Sequence, residues 1–142
     1  MTLERMLDKN CDYKQLSPLT LAFVGDTVFD LFVRESLVCD CNRSVNSLHK
    51  LAVEKVKASA QANWVKKIMP ILSEEEISVL KRGRNAHTKH VPKNADEGDY
   101  HYATGFEALF GYLYLSGNID RLRELFTYIE KGEDSAQSDD KK

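Results

Sequence analysis

Two carboxylates stand where a folding chain has least use for them. Asp26 lies in the middle of AFVGDTVFDLF and Glu107 in the middle of YATGFEALFGYLYL. Helical spacing puts Asp26 on a face with Ala22, Phe29 or Asp30, and Val33. It puts Glu107 on a face with Ala103, Phe110 or Gly111, and Tyr114. A carboxylate on such a face loses hydration unless a partner compensates it. Asp is a poor residue inside a helix, and the neighbouring Gly25 costs about another 1 kcal/mol of helix propensity. Gly105 and Gly111 lower the propensity around Glu107 in the same way. Glycines on two apolar helices also let their backbones come close, so Asp26 and Glu107 can meet at one cleft if the helices pack together. A lone buried carboxylate often pairs with an arginine, and Arg34 or Arg84 could serve. Two such acids, each beside a glycine and accompanied by a basic segment, tilt the balance toward a hard cation held by carboxylate oxygens. Magnesium beside a basic segment means phosphoryl chemistry.

That basic segment is KRGRNAHTKHVPK, residues 81–93, with five Lys/Arg and no acid. The chain as a whole has a net charge of −2, which leaves 15 basic side chains against 22 acidic ones elsewhere. One positive stretch on an acidic body is a local feature suited to an anion. His87 and His90 have metal-compatible spacing but no nearby cysteine, and a zinc site is not expected. Cys11, Cys39 and Cys41 form no CxxC and read as reduced thiols.

The elements that must position these groups read as a string of helices. Ser17-Pro18 opens the first, with Ser as cap and Pro at the first helical position. It runs to about Val38 and is apolar on more than one face, which places it at the centre of the fold or in an oligomer interface. Ser44 caps a second helix predicted to reach Ile68, with Lys50, Lys55 and Lys57 on its polar side. Ser73 and Glu76 make a capping box for a short helix that stops at Gly83. From Gly83 to Asp99 no apolar period is visible, so a long polar loop is predicted. A further apolar helix covers Tyr100–Ser116 and closes at Gly117. Asn118 caps a last helix ending near Gly132. The fold class is all-α, with no nucleotide-binding α/β site. Residues 1–132 form one domain and residues 133–142 a polar tail, expected to be disordered. The chain of 142 residues has no apolar run near the ~20 residues that span a bilayer and no secretory leader pattern, so a cytoplasmic location without membrane contact is expected.

The residues around the two acids resemble a known family. Ala22-Phe23-Val24-Gly25-Asp26-Thr27-Val28 resembles the ribonuclease III signature Glu-Phe-Leu-Gly-Asp-Ala-Val. Thr104-Gly105-Phe106-Glu107-Ala108-Leu109-Phe110-Gly111 resembles that family's second motif, Asp-Ala-Phe-Glu-Ala-Leu-Ile-Gly. Their order, separation and intervening basic stretch also fit, over about residues 15–130. Two acidic positions of the family are Ala22 and Thr104 here. The short chain, with LKRGRNA, PKNAD and FEALFGYLYL, is similar to the Mini-ribonuclease III family, which lacks a double-stranded-RNA-binding domain.

The resemblance implies a homodimeric, all-helical, Mg²⁺-dependent endoribonuclease on the ribonuclease III catalytic fold. Its implied substrate is double-stranded RNA, cut to 5′-phosphate and 3′-hydroxyl ends during maturation of precursor large-subunit (23S) ribosomal RNA. Asp26 and Glu107 are the implied catalytic residues and Mg²⁺ ligands, with Asp96 as a candidate third ligand and Asp30 a weaker one. Lys81, Arg82, Arg84, Asn85, Lys89 and Lys93 are the implied RNA contacts. Phe23 is the implied dimer-interface residue. Without a separate RNA-binding domain, selection of the substrate calls for a ribosomal protein or the ribosomal particle as helper. The competing expectation is a non-catalytic double-stranded-RNA-binding module, favoured by the two missing acids. Another is a helical protein that merely dimerises through its apolar helix.

Overall fold

A computed structural model of the chain describes residues 4–86 and 96–140, with the backbone alone for 133–140. The described residues include six α-helices: α1 Pro18–Asp40, α2 Val45–Val56, α3 Ala58–Ile68, α4 Glu74–Asn85, α5 Glu97–Leu115 and α6 Ile119–Asp140. The all-α class is as expected. Among the described residues no helix is long and apolar enough to cross a membrane.

The helix starts follow their caps. Ser17 Oγ accepts the Thr20 amide at 3.2 Å, and Ser44 Oγ accepts the Ser47 amide at 3.2 Å. Ser73 and Glu76 form the reciprocal capping box. Gly117, with φ of 79°, ends α5 in a Schellman turn, the Asn118 amide donating to the Leu113 carbonyl at 2.9 Å. Asn118 Oδ1 then accepts the Arg121 amide at the start of α6.

Four boundaries differ from the sequence-based expectation. The predicted helix from Ser44 to Ile68 breaks at Lys57, whose extended backbone ends α2 and begins α3. The buried Gln61 side chain secures the break by donating to the Val56 carbonyl at 2.7 Å. The break lets α2 lie on α1 while α3 turns onto α5. Helix α4 passes Gly83 and ends at Asn85, so the first residues of the expected loop are helical. Helix α5 begins at Glu97 rather than Tyr100, because Asp96 Oδ1 caps it through the Asp99 amide at 3.0 Å. Helix α6 runs through Gly132 to Asp140; one glycine costs a helix only about 1 kcal/mol.

Helix α5 is the axis of the molecule, buried almost continuously from Ala103 to Leu113, with α1, α3, α4 and α6 around it. The Phe29 ring of α1 sits edge-on to Phe106 at 4.9 Å and to Phe110 at 5.3 Å, and Trp64 of α3 tilts against it at 5.1 Å. Such pairs add about 0.5–1.5 kcal/mol each beyond the area they bury. Beside this cluster α1 and α5 meet backbone to backbone. A Cβ on Gly25 would stand 1.6 Å from the Glu107 carbonyl oxygen, and one on Gly111 1.9 Å from that of Leu21. Only glycine fits at either place. Helix α4 approaches α5 in the same manner, where Gly83 faces Gly105.

A buried ion pair locks the far end. Arg121 grips Glu76 with two nitrogens at 2.8 and 2.9 Å and donates to the Ile71 carbonyl at 2.6 Å. Burial works to raise Glu76, and the bonds from Arg121 and the Ser73 amide outweigh it and hold the carboxyl below its usual range.

Candidate active site

The Gly25–Gly111 contact decides where the two acids go. Asp26 follows Gly25 on α1, and Glu107 lies one helical turn before Gly111 on α5. With these backbones touching, the side chains converge, and the Glu107 carboxyl comes within hydrogen-bonding reach of the Asp26 carboxyl. The surroundings of the two differ. Glu107 is half-buried, whereas Asp26 is exposed. The expectation that Asp26 is desolvated among apolar residues is therefore corrected: its helix face opens to solvent at the edge of the α1–α5 seam.

Burial pushes the Glu107 carboxyl up to about 9, and the hydrogen bond and charge of Asp26 push in the same direction. At neutral pH Glu107 thus holds a proton against the Asp26 carboxylate. Neither acid forms an ion pair with an arginine or lysine among the described residues. Arg34 binds Asp30 at 3.1 Å, and the Arg84 guanidinium lies 5.7 Å from the Tyr102 ring centre. Two carboxyl groups forced together without a cation between them have the donor chemistry of a divalent-ion site. Mg²⁺, an oxygen-seeking ion usually held by one or two carboxylates and otherwise by water and phosphate, fits that donor set.

The further carboxylates considered from sequence do not join the pair. Asp96 is the cap of α5, Asp30 is taken by Arg34, and no group of three or more His, Cys, Asp or Glu side chains of metal-binding geometry occurs among the described residues. The two positions where the resembled family carries acids are both shut. Ala22 is 8% exposed, and the buried Thr104 hydroxyl donates to the Tyr100 carbonyl at 3.0 Å.

The basic residues divide into two groups. Lys81, Arg84 and Asn85 share a side of the last turns of α4, since steps of three and four residues return to one face. Arg84 Nε donates to Asn85 Oδ1 at 3.1 Å, which holds the two side chains together. Arg82 lies about 100° around the helix from Lys81. It stands close enough to the Tyr112 hydroxyl to offset part of that group's rise to about 12, a rise caused by burial and by Glu75. Lys81 and Arg82 are exposed, and Arg84 is half-buried. Lys89 and Lys93 lie outside the described residues.

Phe23, also named from sequence, is 81% exposed. It borders an open apolar groove of about 800 Å³ that runs along α1 past Val24, Thr27 and Leu31. The groove also takes in Met6, which the sequence reading does not single out, and Tyr114, which it names only as a neighbour of Glu107 on its helix. Nothing in the N-terminal sequence announces that Met6 meets α5. The groove begins next to Asp26, because Thr27 lines it.

Comparison with known proteins supplies the family. The ribonuclease III domain model matches residues 19–118, a stretch that contains Asp26, Glu107 and the glycine contact between them. The chain belongs to the ribonuclease III domain family and so to the endoribonucleases, hydrolases of RNA phosphodiester bonds. Within that family it falls among the Mini-ribonuclease 3 proteins. It is 52% identical over 110 residues to Mini-ribonuclease 3 of Thermoanaerobacter sp. (strain X514), covering 78% of each chain. It is 47% identical over 122 residues to Mini-ribonuclease 3 of Symbiobacterium thermophilum, covering 83% of this chain and 94% of that one. A crystal structure of a protein from Fusobacterium nucleatum superposes with a TM-score of 0.77 at 31% identity, over 87% of this chain and 99% of that one.

Proposed function

We propose that the chain is a Mg²⁺-dependent endoribonuclease that cuts double-stranded RNA to 5′-phosphate and 3′-hydroxyl ends, acting in the cytoplasm as a homodimer on precursor large-subunit (23S) ribosomal RNA. The observation that carries this reading is the convergence of Asp26 and Glu107, with no cation of the protein's own between them. Mg²⁺ held there supplies charge neutralisation for phosphate and a water acidic enough to attack phosphorus in line. The protein's part is positional. Asp26 offers a solvent-facing carboxylate at the mouth of the seam. Glu107, set deeper, would be the second carboxylate to hold the ion. Ala22 and Thr104 leave the remaining coordination to water and RNA oxygens.

Lys81, Arg84 and Asn85 form the nearer part of the RNA contact, with Lys89 and Lys93 continuing it and Arg82 touching a neighbouring stretch of backbone. Contacts to phosphate and 2′-hydroxyl read an A-form duplex by shape rather than sequence. Substrate choice then rests on a helper of the ribosomal particle. Phe23 enters the second copy, and the two-fold axis gives each strand of the duplex one cutting site.

Incubation of an RNA duplex with the protein at graded Mg²⁺, and with EDTA, tests the reading. Mg²⁺-dependent cuts bearing 5′-phosphates on the duplex, and none on the single strand, are expected. Binding without cutting at every Mg²⁺ concentration would instead support the non-catalytic module. Mapping of 5′ ends on precursor 23S RNA, with and without the protein, tests the substrate.

A further inference from the structure

The groove beside Phe23 has a wall that does not come from the helices. The backbone amide of Met6 donates to the Tyr114 hydroxyl at 2.8 Å, which ties the N-terminal segment to α5. Arg5 Nη2 donates to the Lys9 carbonyl at 2.6 Å and curls the segment just beyond. Held in this way, Glu4 and Met6 line the same groove as Phe23, Val28 and Ile119. Met6 and Phe23 are each 81% exposed, so this groove leaves two large apolar side chains uncovered at its edge. A patch of this kind marks an interaction site.

We infer that the segment Glu4–Met6 is a built part of the self-association surface: Met6 forms one wall of the socket that receives Phe23 of a second copy. The inference rests on the homodimer proposed above and assigns it a component. Two features select a second copy as occupant. The face carries both a protruding ring and an apolar recess beside it, which a two-fold interface requires of a single surface. Its charges are also self-complementary, with Glu4 and Glu35 lining the groove together with Arg123. Arg123 makes an exposed pair with Asp120, a screened contact that exchanges readily. A two-fold axis brings the arginine of one copy to the acids of the other.

Leu7 supplies the control. It is 68% exposed, next to Met6 in sequence, and does not line the groove. Sedimentation equilibrium of the full chain should show Met6→Asp weakening self-association by at least about tenfold, from loss of a buried apolar side chain and placement of a charge. Leu7→Asp should leave it unchanged. Tyr114→Phe, which removes only the acceptor that holds Met6, should weaken it by a few fold. Circular dichroism should show the same helix content in all three. Equal dimer constants for Met6→Asp and wild type would overturn the inference, as would equal losses for Met6→Asp and Leu7→Asp. Wild type and Phe23→Asp separate the two levels: a wild type that sediments as a monomer would end the homodimer reading itself, and a dimer that survives Phe23→Asp would take this face, and the segment with it, out of the interface. If Phe23→Asp produces monomer while Met6→Asp does not, only the role of the segment is lost.

Discussion

The Glu107 carbonyl oxygen occupies the space that a side chain on Gly25 would need, 1.6 Å from the position of its Cβ. The same contact brings the carboxyl of Glu107 to that of Asp26, so the packing of α1 on α5 and the assembly of the site are one event. Gly25→Ala must therefore separate the helices. The clash is with backbone, which cannot rotate away, so the loss belongs at or above the upper end for overpacking, about 3 kcal/mol. Thermal unfolding measures it. Any variant molecules that remain folded should have lost RNA cleavage.

Glu107 keeps its proton up to about pH 9 in the folded chain, against 4.5 ordinarily. Between these values the folded state binds a proton that the unfolded state has released, so stability falls as pH rises through the window. Glu107→Gln removes this dependence. Without metal, the variant should melt several degrees above wild type near pH 8, and the difference should vanish near pH 4. Mg²⁺ should raise the melting temperature of wild type and leave that of the variant unchanged. Cleavage by the variant should fall on the order of a hundredfold or more, while duplex binding stays nearly intact.

The split between the basic residues of α4 gives a graded expectation. Lys81→Ala and Arg84→Ala should each reduce the salt dependence of duplex binding by about one unit of slope. Arg82→Ala should reduce it less, since its side chain lies toward Tyr112 and Glu75. Filter binding over a range of KCl concentrations distinguishes them. An unchanged slope for Lys81→Ala and Arg84→Ala would mean that this face does not meet RNA.

Arg121→Met tests structure apart from chemistry. It leaves the buried Glu76 carboxylate with the Ser73 amide but no cation, at a cost of up to about 3–5 kcal/mol. The folded Glu76 carboxyl sits below its ordinary value, so the stability it contributes is present above that value and is lost as pH falls through the lowered one. Chemical denaturation at several pH values should show wild type losing this part in acid and Arg121→Met lacking the share that Arg121 supplies.

Much of the fold was legible because caps and glycines act locally. Ser17, Ser44, Ser73 and Gly117 each mark a boundary through a bond or a φ angle set by their own chemistry. The break at Lys57 was not legible, because it depends on Gln61 being buried and reaching back to Val56. The meeting of Asp26 and Glu107 could be read from glycines on both helices. The exposure of Asp26 could not, since it depends on which side of α1 the other helices leave bare. Asp96 shows the opposite ambiguity. In sequence, Asp96 fits a ligand or an ordinary solvated turn residue equally, and the bond to the Asp99 amide shows a third role, the cap of α5. The groove wall at Met6 was hidden because a tyrosine more than a hundred residues away holds it.

The central claim is that two side chains, far apart in sequence, act together as one cation site. Calorimetric titration of Mg²⁺ into the RNA-free protein, in two buffers of different ionisation enthalpy, tests it most directly. At neutral pH binding should release close to one proton per chain, the one that Glu107 holds. Asp26→Asn and Glu107→Gln should each abolish both the binding and the release. Mg²⁺ binding that survives either substitution, or that releases no proton, would contradict the account.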